Sequence, residues 1–378
     1  RTVFGGPMTD DFWFDMPWLD ALLRILIVVV AMTLAVLALI YLERKFIGRL
    51  QNRVGPTRTG PMGLFQSAAD ALKLVGKEDL RPATADRWVF ELAPYVVFVP
   101  TFLGLMALPF TYDVVVRHME LALFYIVAIT SLSTVGMIMA GWGSDSKYPL
   151  LGAARTAALL IGYELPLVLS ILSITMFADT LDIMAIVRQQ DTVPFIVWQP
   201  LAFVLFMFAA TAEIHRPPFD MPVAESEIVG GPLVEYSGIR WGMFFLAEYV
   251  SLVIAAVLAS TLFLGGWEWP FGEDAGGWLQ GILIFVKTSL FIAFFFWIRA
   301  TLPRLRIDQM TAFCWKVLLP FSLLQILLTG LVMVYDWPDV VLLVLSGIAL
   351  AAMLAVIYSS VQRPTAEQRA ILRRRLAI

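Results

Sequence analysis

Nine apolar stretches of 18 or more residues organise this chain, and a helix rising about 1.5 Å per residue crosses a bilayer core in about 20 residues. They occupy 25–42, 92–110, 121–143, 156–178, 192–212, 241–267, 275–298, 317–335 and 340–361. Inside them the charged residues are Glu164, Glu248 and Lys287. With 60% hydrophobic and 15% charged residues over 378 positions, the composition excludes a soluble globular enzyme. The first stretch is too long for the apolar part of a signal peptide, and no A-x-A-like cleavage site follows it, so it is read as a retained helix. The expected fold is all-α: a polytopic membrane protein with nine transmembrane helices in a single membrane domain, 1–378.

Lys and Arg orient such a chain, because short basic loops stay on the cytoplasmic side. Segments on one face hold Arg1, Arg24, Arg117 and Arg188, while 22 of the 27 basic residues lie on the other and the last is Lys287. The expected N-terminus is therefore outside the cytoplasmic membrane, and the C-terminus, with Arg373-Arg374-Arg375, is in the cytoplasm. Two cytoplasmic loops, 43–91 and 213–240, far exceed the usual connection of about 4–6 residues. The first is basic and contains a predicted helix over 62–77. Leu64, Ala68, Leu72 and Val75 share one face of it, opposite Ser67, Asp70, Lys73 and Lys77. Such a helix lies at the membrane surface or packs on a partner. The second loop is acidic, with Glu213, Asp220, Glu225, Glu227 and Glu235 against Arg216 and Arg240. Its prolines at 217, 218, 222 and 232 prevent one continuous helix and fold the acids back.

Ionisable groups within a bilayer are costly and point to function. Glu164 precedes Pro166, which removes a backbone donor and can open a kink to water. Glu248 and Lys287 lie at depths that allow a pair if their helices touch, and such a pair either works or merely neutralises itself. Together with Glu213, Glu225 and Glu227 at the cytoplasmic mouth, Glu164 and Glu248 have the makings of a proton relay, since crowding and desolvation favour the protonated carboxyl. A lone Cys314 excludes an internal disulfide or thiolate cluster, so electrons must arrive from a partner. The segment 55–60 has phosphate-loop glycine spacing, but Pro61 stands where the lysine belongs. A self-sufficient transporter is disfavoured by the odd helix count and the lack of visible repeats.

The loop blocks resemble a known family. Glu43-Arg44-Lys45 with Gly48, Arg53 and Gly55-Pro56, Ala69-Asp70 with Lys73, and Leu150-Leu151-Gly152-Ala153 with Arg155 come first. Tyr163-Glu164, Arg216 with Pro218-Phe219-Asp220, Glu225 with Glu227, Ala247-Glu248-Tyr249, and Arg299-Ala300 with Pro303-Arg304 follow in the same order. This pattern is similar to the H subunit of respiratory complex I, the NADH:quinone oxidoreductase. The resemblance implies a membrane component without iron–sulfur, flavin or haem groups that docks on iron–sulfur subunits of the quinone module and on other membrane subunits. Quinone is then the substrate, held in a tunnel that this chain helps to form. Carried over by position, Glu43, Arg44, Arg53, Asp70, Arg216, Phe219, Asp220 and Arg299 become quinone-chamber residues. Glu164, Glu213, Glu225, Glu227 and Glu248 become the acids that couple quinone reduction to proton translocation.

The chain departs from that pattern in places. Val223 replaces a common Glu and His215 a common Asn, while Leu159 and Gly162 replace a usual Gln and Ser. His215 is either a substitute titratable group or a hydrogen-bonding loop residue. These changes, with 230–236, also look like the related component of membrane-bound hydrogenases and ferredoxin-driven complexes. Arg44 and Arg216 either meet the quinone head group or brace the acidic loop.

Overall fold

The computed structural model describes residues 17–111, 115–220, 225–272 and 277–362. Arg1, Val223 and the basic stretch at 373–375 lie outside the described residues, as does the side chain of Glu225. Every regular element among the described residues is helical, as the apolar periodicity requires, because a helix satisfies its backbone polar groups within lipid. The chain divides into two compact units, residues 1–73 and 74–378.

In the first unit α1 (Pro17–Leu50) runs for 34 residues. At about 1.5 Å per residue it outreaches a bilayer core by several turns. Glu43, Arg44, Lys45 and Arg49 therefore continue the membrane helix instead of opening a loop. A 3₁₀ turn (Pro61–Gly63) leads toward α2 (Gln66–Gly76), whose first residues belong to this unit. The helix is shorter than the predicted 62–77, because Met62, Gly60 and Gly63 all take positive φ and break the helical path. Of its expected polar face Ser67 is buried while Lys73 and Lys77 are exposed, and on the expected apolar face Leu72 and Val75 are 73% and 67% exposed.

The second unit continues through α3 (Arg87–Gly104), α4 (Ala122–Thr130), α5 (Leu132–Gly143) and α6 (Lys147–Ala178). The Asp86 carboxylate caps α3 by accepting from the Trp88 and Val89 amides. Then come α7 (Ile183–Arg188), α8 (Phe195–Trp198), α9 (Pro200–Glu213) and the short α10 (Glu225–Ile228). The last helices are α11 (Gly238–Phe263), α12 (Gly277–Thr301), α13 (Ile307–Phe313), a π-helical turn (Cys314–Leu318), α14 (Leu319–Val334) and α15 (Asp339–Gln362). Within this unit α3 packs on α5 and α11, and α6 packs on α5, α9 and α14.

Among the described residues eight helices are long and apolar enough to cross a membrane. The fifth of the nine expected stretches is instead divided at Gln199 (φ −128°, ψ 61°) into α8 and the 14-residue α9, which begins with Pro200. Proline starts a helix readily and cannot sit inside one without losing a bond. The sixth stretch also ends early. α11 stops at Phe263, because Gly265 and Gly266 have φ of +65° and +46° and turn the chain back.

Candidate functional site

In the second unit the acidic loop folds against the N-terminal end of α6. Gly152 makes that approach possible: a Cβ there would sit 2.6 Å from the Gly231 Cα. Beyond α9 the chain turns at His215, whose φ of +56° places it in the left-handed region that Asn and His tolerate better than most residues. A cis Pro217–Pro218 peptide follows.

The turn carries Arg216 into the protein interior, where its side chain is 3% exposed. Its Nε lies 2.9 Å from the Glu248 Oε1 of α11, and its guanidinium stacks 4.6 Å from the centre of the Tyr249 ring. Burial works against the arginine charge, but the Glu248 carboxylate and Tyr249 outweigh it and raise the pKa above the ordinary value. Consecutive residues of α11 thus hold one cation between a carboxylate and an aromatic face. Glu213, at the end of α9, has a buried Oε2 with no hydrogen-bond partner among the described residues, and the Glu164 carboxylate of α6 is close enough to repel it.

Glu213 and Glu248 border a cavity of about 80 Å³ among α3, α4, α5, α6, α9 and α11. Glu213, His215 and Glu248 line it together with apolar side chains and the hydroxyls of Thr101, Ser133 and Ser251. A buried water needs about 10–15 Å³ on this measure, so there is space for several. His215 Nε2 is buried without a hydrogen-bond partner among the described residues. Burial, and then the charge of Arg216, lower the imidazole pKa to about 4, so the ring is neutral at ordinary pH.

The remaining predicted residues of this unit surround the cluster in pairs. Asp220 accepts a 2.6 Å bond from Arg304, and Glu227 accepts a 2.8 Å bond from Arg155 of α6. Phe219 is buried between Tyr163, at 5.1 Å, and Phe313, at 6.4 Å between ring centres. Tyr163 donates from its hydroxyl to the Met310 carbonyl at 3.0 Å. Gly162 leaves room for Cys314, whose Sγ donates to the Gly162 carbonyl at 2.9 Å. Arg299 sits half-buried in the last turn of α12. In the first unit Glu43 is buried, and Arg44 donates to Asp70 at 2.6 Å. Arg53 donates to Gln51 at 2.8 Å, and both Arg44 and Arg53 border an open basic pocket with Arg58.

One expected pair is overturned. Lys287 does not meet Glu248; its ammonium donates to the carbonyls of Leu264, Gly266 and Trp269 at 2.7, 2.6 and 2.7 Å. The turn after α11 brings these carbonyls back over Lys287, whereas Glu248 lies 16 residues earlier on α11, about 24 Å along the helix. Tyr249, Arg155 and Arg304 carry site contacts that sequence reasoning left without a role. All three stand within or beside the family-like blocks, which was the available signal.

The helices and the charged cluster among them define a multi-pass membrane protein built around protonatable side chains. Residues 23–330 match the family model described as NADH dehydrogenase. The NADH-quinone oxidoreductase H subunit of Dehalococcoides mccartyi (strain CBDB1) is 46% identical over 341 residues, 90% of this chain and 94% of the relative. The same subunit of Geobacillus thermodenitrificans (strain NG80-2) is 47% identical over 312 residues, 82% and 92% of the two chains. That of Carboxydothermus hydrogenoformans (strain ATCC BAA-161 / DSM 6008 / Z-2901) is 44% identical over 310 residues, 82% and 88%. The chain therefore belongs to the family of NADH-quinone oxidoreductase H subunits, membrane components of complex I, as its loop blocks led us to expect.

Proposed function

We propose that this chain couples quinone reduction in complex I to proton translocation. It carries no redox group of its own in this reading and works only within the assembled complex, docked on iron–sulfur subunits of the quinone module and on further membrane subunits. The observation that carries the reading is the Arg216–Glu248 pair beside Glu213 at a cavity inside a helical membrane bundle. Arg216 and Glu248 balance each other's charge, so any event that draws the guanidinium away leaves a buried carboxylate that takes up a proton to become neutral. Glu164 and Glu213, whose charges repel each other, favour sharing a proton rather than losing both.

The chamber residues are assigned unit by unit. Glu43, Arg44, Arg53 and Asp70 belong to the segment 43–91, and Arg216, Phe219, Asp220 and Arg299 to the acidic loop 213–240 and the end of α12. Quinone needs apolar walls with a few fixed polar groups. The ordered Arg44–Asp70 and Arg304–Asp220 bonds supply polar groups held in place. Glu225 and Glu227 complete the proposed relay at its cytoplasmic mouth. The exposed apolar face of α2 supports its lying on the membrane or a partner, and the basic-residue asymmetry supports an external N-terminus in the bacterial cytoplasmic membrane, with 1–378 acting as one membrane domain.

The test is Glu248→Gln in the purified complex reconstituted in liposomes. Quinone reduction and proton uptake are expected to fall together, by about tenfold or more, while the amount of assembled complex stays near wild type. Unchanged coupled turnover would remove Glu248 from the path.

A further inference from the structure

His215 provides more than its backbone position demands. The left-handed turn at φ +56° is met by Asn or Gly, neither of which titrates. Here the position holds an imidazole that lines the same cavity as Glu213 and Glu248. Both the Nε2 of His215 and the Oε2 of Glu213 are buried there without hydrogen-bond partners among the described residues. Arg216 follows His215 directly, Glu248 faces the cavity from α11, and the charge of Glu164 on α6 acts on Glu213. Asp220 and Tyr249 bear on Arg216 from its other sides.

We propose that His215 is a proton carrier between Glu213 and Glu248, working through the water that the cavity accommodates. This rests on the coupling function proposed above. An imidazole nitrogen takes the proton given up by the Glu213 carboxyl, leaving a carboxylate and an imidazolium. The imidazolium then releases a proton that the Glu248 carboxylate accepts, and the ring returns to neutral. The net change is one proton moved from Glu213 to Glu248, which removes the negative charge facing Arg216. Burial and the neighbouring arginine, which hold the ring neutral at rest, make the imidazolium a transient rather than a store.

The complete complex in liposomes, as wild type, His215→Asn and His215→Gly, separates the carrier from the turn residue, because both replacements accept the backbone. Proton uptake and coupled NADH-driven quinone reduction should drop about tenfold in both variants. The solvent deuterium isotope effect should rise as proton transfer becomes limiting, which a packing defect would not produce. Either variant assembled with wild-type turnover and isotope effect overturns the role of His215; if one fails to assemble, the other decides. A wild-type complex that reduces quinone without moving protons defeats the coupling function itself, a distinct result.

Discussion

Two cations of this protein, Arg216 in the acidic loop and Lys287 within α12, are satisfied in opposite ways. Arg216 is set against a carboxylate and an aromatic ring, with Glu213 and His215 at the same cavity. Lys287 is surrounded by three backbone carbonyls and the Trp269 ring, whose centre is 5.5 Å away. Carbonyls do not titrate at any ordinary pH, so the partners of Lys287 tie the end of α11 to α12 and offer no group with which it could exchange a proton. The carboxylate and imidazole around Arg216 do. A charge inside a membrane therefore identifies function only through what opposes it.

The contrast is broken most directly at Arg216. Arg216→Ala leaves the half-buried Glu248 carboxylate without its partner, an imbalance that should cost somewhat less than the about 3–5 kcal/mol seen when a fully buried pair loses one member. Coupled quinone reduction should fall by more than about tenfold, and thermal unfolding of the detergent-purified complex should show the loss. Adding Glu248→Gln to Arg216→Ala should recover stability but not activity. Recovery of both would make the pair a structural brace, no different in kind from Lys287.

At the other end, Lys287→Met should destabilise by about 2–4 kcal/mol, since bonds to a charged group contribute roughly 1.5–3 kcal/mol each and the freed carbonyls find some compensation. Turnover per assembled complex and its pH profile should remain those of wild type. A shifted pH profile would place Lys287 on the proton path and erase the distinction between the two ends.

His215 sharpens the comparison through pH. Its folded pKa of about 4 lies below the ordinary 6.5, so the native state binds fewer protons than the unfolded chain in that interval. The neutral ring is fully compatible with folding above pH 6.5, and stability drains away as pH falls toward 4. At pH 5.5 the loss from this group is on the order of 1 kcal/mol. Thermal denaturation of wild type and His215→Asn at pH 7.5 and 5.5 should show the smaller acid shift in the variant. Equal shifts would mean that the ring is not held neutral in the folded protein.

What could be read from the chain divides along the same physical line. Helices were legible because apolar runs and local breakers act within a few residues: α12 and α15 follow the expected stretches closely, and α6 ends with its stretch at Ala178 but starts earlier, at Lys147. The errors in extent sit at Gln199-Pro200 and at Gly265-Gly266, where one or two backbone angles outweigh a run of apolar side chains. Partners were much less legible. Depth along a helix correctly ranks Glu248 and Lys287 as membrane charges, yet it carries neither the direction each side chain faces nor the path of the turn after Phe263. Arg216–Glu248 joins residues 32 positions apart and Arg155–Glu227 joins residues 72 apart. Such pairings depend on how α6 and α11 pack, a collective property that no local pattern encodes.

Glu227 offers the smallest effect on stability. Its pair with Arg155 is open to solvent, 47% exposed on the carboxylate side and 22% on the guanidinium side. A pair so hydrated contributes about 0–1 kcal/mol, so Glu227→Gln should leave thermal stability almost unchanged. If Glu227 belongs to the proton path, coupled quinone reduction should nevertheless fall severalfold, and Arg155→Ala, which also breaks the pair, should not reproduce that fall. Equal losses from the two variants would assign the effect to the anchoring of α10 on α6. Glu227 would then join Lys287 as a residue that holds shape, and the titratable machinery would contract to the groups around Arg216.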